Sequence, residues 1–251
     1  MVFENLLDPI FNPLLKMHPA LAILIISFII TLAITLVYKY TTDQKKMKRI
    51  KEEMKENQKK LKELSKTDPE KAMKMQKDAM KGNMDYMKSS LKSTIYTFIP
   101  IIIIFGWLNA HMAYFELQPN QPFEVTAFFD EGHAPIVSIS AVPDLEIISN
   151  STQEILDDKA IWKLSGEQGE YLLTINYNNE EYDKEIIISS ERKYKLPEKK
   201  ISNSKLKKIV VGNEKVHPLK DLLGLKLSWL WTYIIFSVLI SIGLRKVLKV
   251  Y

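Results

Sequence analysis

Cysteine is absent from the 251 residues, which excludes disulfide staples and thiolate chemistry. The four histidines, His18, His111, His133 and His217, are scattered without metal-ligand spacing. HExxH, GxSxG and glycine-rich phosphate loops are all missing, so an intramembrane protease or a transport ATPase finds no support. No catalytic residue, metal or cofactor is expected, and the chain reads as a non-enzyme. Charge is also absent from three long apolar runs, His111 aside, which leaves a proton relay or charged ion pathway without carriers.

Those runs dominate what is present. A hydrocarbon core of about 30 Å needs roughly 20 apolar residues in a helix. Residues 19–38, 93–115 and 227–244 meet or approach that length, and three membrane helices are expected. The intervening segments set their orientation. Residues 39–92 hold 17 Lys and Arg against 9 Asp and Glu, a net of +8. Residues 1–19 net −1 and residues 116–221 net −6, while the tail 245–251 holds three basic residues and no acid. The positive-inside bias then places the N-terminus outside, 39–92 inside, 116–221 outside and the C-terminus in the cytoplasm of a multi-pass cell-membrane protein. Residues 1–18 carry apolar side chains at helical spacing, interrupted by Pro9 and Pro13. They read either as an amphipathic segment in the outer interface or as an extension of the first span.

The basic segment also holds seven of the ten methionines. Met47, Ile50, Met54, Leu61 and Leu64 follow a coiled-coil seam, with Asn57 in the missing position. Thr67-Asp68-Pro69 reads as a turn with an N-cap and proline at the first helical position. Met73, Met80 and Met87 then repeat at seven, as do Met84 and Leu91. An antiparallel helical hairpin about 30 Å long is expected. Its methionines either form a loosely specified seam or line a surface that meets nascent hydrophobic segments, because methionine adapts to varied apolar partners. The candidates for such contact are Met47, Met54, Met73, Met80, Met84 and Met87. The charge attracts anionic lipid and allows ribosome contact. Tyr86 is the only aromatic between Tyr40 and Tyr96, so sequence-specific nucleic-acid recognition is disfavoured.

Small polar residues mark the spans. Ser27, Thr31 and Thr35 lie four apart on the first, Ser93 and Thr97 on the second with Thr94 beside them, and Ser237 and Ser241 on the third. They serve helix packing, or they line a hydrophilic groove open to the cytosol. Residues 116–221 alternate or are β-branched at 123–129, 135–142, 145–149, 171–177, 182–189 and 208–211, between turn formers such as Gly132 and Asn178-Asn179. The expectation is an extracytosolic all-β, sandwich-like insertion. Asn150-Ser151-Thr152 is a glycosylation sequon, a pattern common by chance.

An α-helical three-span bundle with a cytosolic hairpin and an outer β insertion resembles the YidC/Oxa/Alb superfamily of membrane protein insertases. The nearer resemblance is to its small archaeal branch, related to the third subunit of the endoplasmic reticulum membrane protein complex. The resembling parts are LLDPIFNPLLKMHP, the Met/Lys hairpin and STIYTFIPIIIIFGWLN. The resemblance implies an energy-independent insertase and chaperone of nascent membrane proteins, fed by a ribosome or targeting factor. The positively charged groove residue of bacterial members is missing. Two other readings stand beside it: an ion channel or its regulatory subunit, and a structural tether with an outer binding domain.

Overall fold

Proline begins two helices in this chain. The computed structural model describes residues 4–132 and 134–250, with the side chains of 4–6, 78 and most of 81–100 outside the description, as is His133. Helix α1 spans Glu4–Leu15 with Pro9 and Pro13 inside it. Pro19 then opens α2, Pro19–Thr41, where its missing N–H costs nothing. Asp43 caps α3, Gln44–Thr67, its carboxylate accepting from the backbone N–H groups of Lys45 and Lys46 at 3.0 Å each. Asp68 ends α3 by donating its N–H to the Leu64 carbonyl at 2.8 Å, and its Oδ1 accepts from the Lys71 N–H at 3.1 Å. Hydrogen bonds from Lys71 hold the Asp68 carboxyl below the ordinary carboxylate range. Pro69 follows, so one residue closes one helix and caps the next, as the Thr67-Asp68-Pro69 pattern predicts.

Helix α4 runs without interruption from Pro69 to Met112. The second arm of the hairpin and the expected second span are therefore one helix, and Gly82-Asn83 does not break it. It stops three residues short of the expected Phe115. Tyr114 already bridges to Lys215, and the Phe115 N–H donates to the Glu214 carbonyl at 2.7 Å. Two further helices follow the β-rich region: the short α5, Lys220–Leu223, and the 19-residue α6, Trp229–Val247. Gly224 takes a left-handed φ of 70° to end α5.

Burial in α3 follows the expected seam. From residue 45 to 67, Met47 and Ile50 are buried, Met54, Asn57, Leu61 and Leu64 are half-buried, and every other position is exposed. In α4 the seam reading needs correction. Met73 and Met80 are 75% and 64% exposed, and Met84 and Met87 about as open as each other at 48% and 52%. Among the described side chains of residues 69–80, the covered positions are Ala72, Met75 and Ala79. Both sets keep a helical spacing. The larger side chains drew the reading one residue, about 100°, away from the covered face.

Among the described residues the β-rich region comprises nine strands: β1 Phe123–Phe129, β2 Ile136–Val142, β3 Glu146–Ile147, β4 Thr152–Glu154, β5 Lys159–Ser165, β6 Gly169–Tyr177, β7 Glu180–Ile188, β8 Glu198–Lys200 and β9 Leu206–Val211. They form two sheets, ordered β3-β5-β1-β9-β8 and β4-β2-β6-β7, with every named pair antiparallel. Asp157-Asp158 and Asn178-Asn179 both take positive φ, the backbone that two-residue hairpin turns need, and join β4 to β5 and β6 to β7. Alternate residues of both sheets share one core, in which Trp162, Leu164, Leu173, Ile175 and Ile209 are fully buried.

One member of the buried rows is charged. Lys184 shares the face of Ile186 and Ile188 on β7, an edge strand, and is only 5% exposed. Its ammonium donates to the Glu185 carbonyl at 2.7 Å. An inward-pointing lysine discourages further pairing at a sheet edge. Burial, opposed by Glu185 and reinforced by Lys199 and Lys195, pushes its pKa down from 10.5 to about 8. Between those values the unfolded chain holds a proton that the folded chain has released, so stability rises with pH across that window. Below it the full cost of the buried charge is present. We predict that Lys184→Met raises stability at neutral pH by about 1–3 kcal/mol, with the gain shrinking above pH 8. The measurement is the urea midpoint at which the β-rich region loses protease resistance. No gain at pH 7 would contradict it.

Candidate functional site

By contact, the chain divides into two units, Met1–Pro19 with Gly106–Trp229, and Ala20–Phe105 with Leu230–Tyr251. The candidate polar residues belong to the second. On α2, Ser27, Thr31 and Thr35 are all buried, on the same side as Ile23, Ile26 and Ile30. Leu21, Leu24, Phe28 and Ile29 on the other side are exposed. On α6, Ser237 and Ser241 are half-buried beside the buried Thr232 and Tyr233, while Val238, Leu239 and Ile242 are exposed. Each helix thus hides its hydroxyls and presents hydrocarbon outward. In water the outward faces would be a liability; in a bilayer they are matched to the solvent.

Two ring contacts set the relative levels of the helices. The Arg245 guanidinium lies 5.4 Å from the Tyr38 ring, so the C-terminal ends of α2 and α6 meet. Counting back, Thr35 and Thr31 precede Tyr38 by three and seven residues, and Ser241 and Ser237 precede Arg245 by four and eight. At 1.5 Å per residue the two rows stand at nearly equal depth. Phe105 meets Tyr233 edge-on at 4.9 Å between centroids, which ties α4 to α6. Eight residues from that contact on either helix lie positions 97 and 241. The side chains of Ser93, Thr94 and Thr97 lie outside the described residues.

The hydroxyls differ in how they are satisfied. The Thr35 hydroxyl donates to the Thr31 carbonyl at 2.6 Å, and Ser237 donates to Ile234 at 3.0 Å, both turning back on their own helix. Ser27 does not. Its Oγ is fully buried and has no partner among the described residues. A buried hydroxyl left unpaired costs about 1–3 kcal/mol. That cost marks Ser27 as the position where a polar group from elsewhere would be stabilised.

The methionines fall outside this polar set. Met73, Met80, Met84 and Met87 fall within about 60° of one another around α4, given 100° per residue. Phe98 and Ile102, 59% and 55% exposed, continue the same line. Met47 is buried and Met54 half-buried on the α3 seam. The six methionines therefore divide between a packed seam and an open row.

In the first unit a polar latch joins α1 to the end of α4. The Trp107 indole N–H donates to the Asp8 carboxylate at 2.8 Å, and the Phe11 ring lies 5.1 Å from the Trp107 ring. His111 stacks on Trp107 at 4.5 Å, with Nε2 3.9 Å from Asp8. From the other side, the Tyr194 hydroxyl donates to the Asn109 carbonyl at 2.5 Å and accepts from the Ala113 N–H at 3.0 Å. Burial pushes the Tyr194 phenol up to about 12. In sequence the latch shows only as an acidic residue inside an apolar segment and as Trp107 and His111 four apart. Asp8→Ala leaves the buried indole unpaired, a loss of about 1–3 kcal/mol from the latch. We expect hydrogen exchange at α1 amides to accelerate, with those of α6 unchanged; unaltered exchange in α1 would contradict the latch.

Among the described residues, two helices, Pro19–Thr41 and Trp229–Val247, are long and apolar enough to cross a membrane, and Ile101–Met112 is a shorter apolar stretch of α4. Their outward apolar faces suit an integral membrane protein that also carries a β-rich region. The chain belongs to the integral membrane protein EMC3/TMCO1-like family, whose model matches residues 4–149, from α1 through β3. That family is a member of the Oxa1/YidC/Alb3 insertase-related superfamily. No curated protein and no solved structure matches the chain.

Proposed function

We propose that this protein is an energy-independent membrane protein insertase, built like the small archaeal branch of its superfamily. α2, α4 and α6 are its three spans, the N-terminus and a two-sheet β sandwich face outward, and the α3–α4 arm and C-terminus face the cytosol. A client's short polar flank occupies the hydroxyl-lined groove between α2, α4 and α6, while its apolar segment passes sideways into lipid. The hydroxyls lower the cost of carrying unpaired backbone groups into hydrocarbon, several kcal/mol for each group. The observation that carries the reading is the pair of polar rows at common depth, with the Ser27 hydroxyl unpartnered among the described residues. Family membership supports the same class of function.

The arm supplies the first encounter. Its open methionine row on α4 offers an adaptable apolar surface to an emerging segment. Its 17 basic residues offer anionic contacts to a ribosome or targeting factor. No nucleotide or metal enters the cycle. The test is reconstitution of the full chain in liposomes with a single-span client bearing a short polar flank. Insertion without nucleotide at about tenfold or more the rate in protein-free liposomes is the expected result. Equal insertion with and without the protein would overturn it.

A further inference from the structure

The end of α4, the outer face of β6–β7 and the edge strands β7 and β8 line an open cavity of about 940 Å³ that insertion does not use. Its walls have two characters. Gly106 and Ala110 on α4, with Leu172, Ile187 and Leu196, supply apolar lining beside the polar Asn109 and His111. Lys184, Lys193, Lys195 and Lys199 supply basic lining, within a segment that is acidic as a whole.

The carboxylates nearby do not neutralise the whole group. Glu185 is held by Lys195 at 2.8 Å, and Lys193 is taken by Glu191 at 2.6 Å. Asp183 accepts from the Thr174 hydroxyl at 2.8 Å, and Glu198 stands 4.0 Å from both Lys200 and Lys208. That leaves Lys184 and Lys199. Their ammonium groups donate to the backbone carbonyls of Glu185 at 2.7 Å and Asp183 at 2.5 Å, and neither has a carboxylate within ion-pair distance among the described residues. Each ammonium has three donors, so both keep capacity for an anion. Their mutual repulsion also favours one.

We propose that this cavity holds the phosphate of an anionic phospholipid at Lys184 and Lys199, with one lipid chain against Leu172, Ile187 and Ala110. The apolar wall separates this ligand from a bare phosphate. The cavity adjoins the apolar stretch Ile101–Met112 of α4, which places it where a lipid chain is available. Gly106 leaves room for that chain, since a Cβ built there meets nothing within 4 Å.

The test is native mass spectrometry of the full-length protein, loaded with phosphatidylglycerol or phosphatidylcholine, with free glycerol phosphate as competitor. One phosphatidylglycerol should be retained about tenfold or more over phosphatidylcholine, a preference that glycerol phosphate at equal concentration does not displace. Lys184→Met with Lys199→Met should reduce retention to the phosphatidylcholine level. Gly106→Leu, which fills the chain side without changing charge, should also weaken it. Lys200→Met, outside the cavity, should leave it unchanged. Equal retention of both lipids by the native protein would overturn the proposal. So would a double variant that keeps its lipid and only self-associates, because the two lysines would then serve only to guard the β7 edge. Displacement by glycerol phosphate would assign the phosphate to a soluble ester and overturn the lipid.

Discussion

Ser27→Ala combined with Thr31→Val and Thr35→Val is expected to slow insertion of a polar-flanked client by about tenfold or more, while leaving the helices at least as stable as before. A side-chain hydrogen bond inside a membrane protein is worth about 0.6 kcal/mol on average. Three such groups acting on one client flank sum to nearly 2 kcal/mol, and 1.36 kcal/mol is tenfold in rate. The replacements preserve volume at the threonines. At Ser27 they remove an oxygen that has no partner among the described residues. A packing role for the same residues predicts the opposite pair of outcomes, with insertion retained and the bundle weakened. Insertion assays and thermal unfolding of the same preparation therefore separate the two. A client whose flank is wholly apolar should be affected far less.

Trp162→Ala carries the largest structural effect. The ring is fully buried at the centre of the shared core, and its indole N–H donates to the Ser151 carbonyl at 3.0 Å. Removing a buried tryptophan costs about 3–5 kcal/mol, a large part of the 5–15 kcal/mol typical of a whole domain. The β-rich region should become protease-sensitive under conditions where the native protein resists. Residues 20–105, which cluster by contact with 230–251 rather than with the strands, should remain protected. Limited proteolysis in membranes reads both. Cleavage that spreads equally into α2 and α6 would contradict the separation of the two units.

The apolar runs were legible because their signal is length and absence of charge, which no tertiary contact can rewrite. The first and last match α2 and α6 within about three residues. Strand β1 coincides with the expected 123–129, since its alternation is clean. Strand β5 escaped notice although Ala160, Trp162 and Leu164 alternate inward, because Lys159 and Lys163 fill its outward positions and make the segment look polar. Strands β4 and β8 are three residues each, too short to carry a period. In α4, helical spacing alone could not say which of two parallel rows is covered. The two alanines that face inward, Ala72 and Ala79, are weaker hydrophobic signals than the methionines that face outward. The Asp8–Trp107 latch joins residues 99 apart in sequence, a pairing that no local pattern announces.

The central claim is that a client's polar flank meets the hidden face of α2. A diazirine amino acid placed at Ser27, compared with one at Ile29 on the exposed face, tests it during synthesis of a single-span client in membranes. The account predicts that the Ser27 probe traps the client while the Ile29 probe traps lipid. Lipid alone at both positions, or the client equally at both, would contradict it.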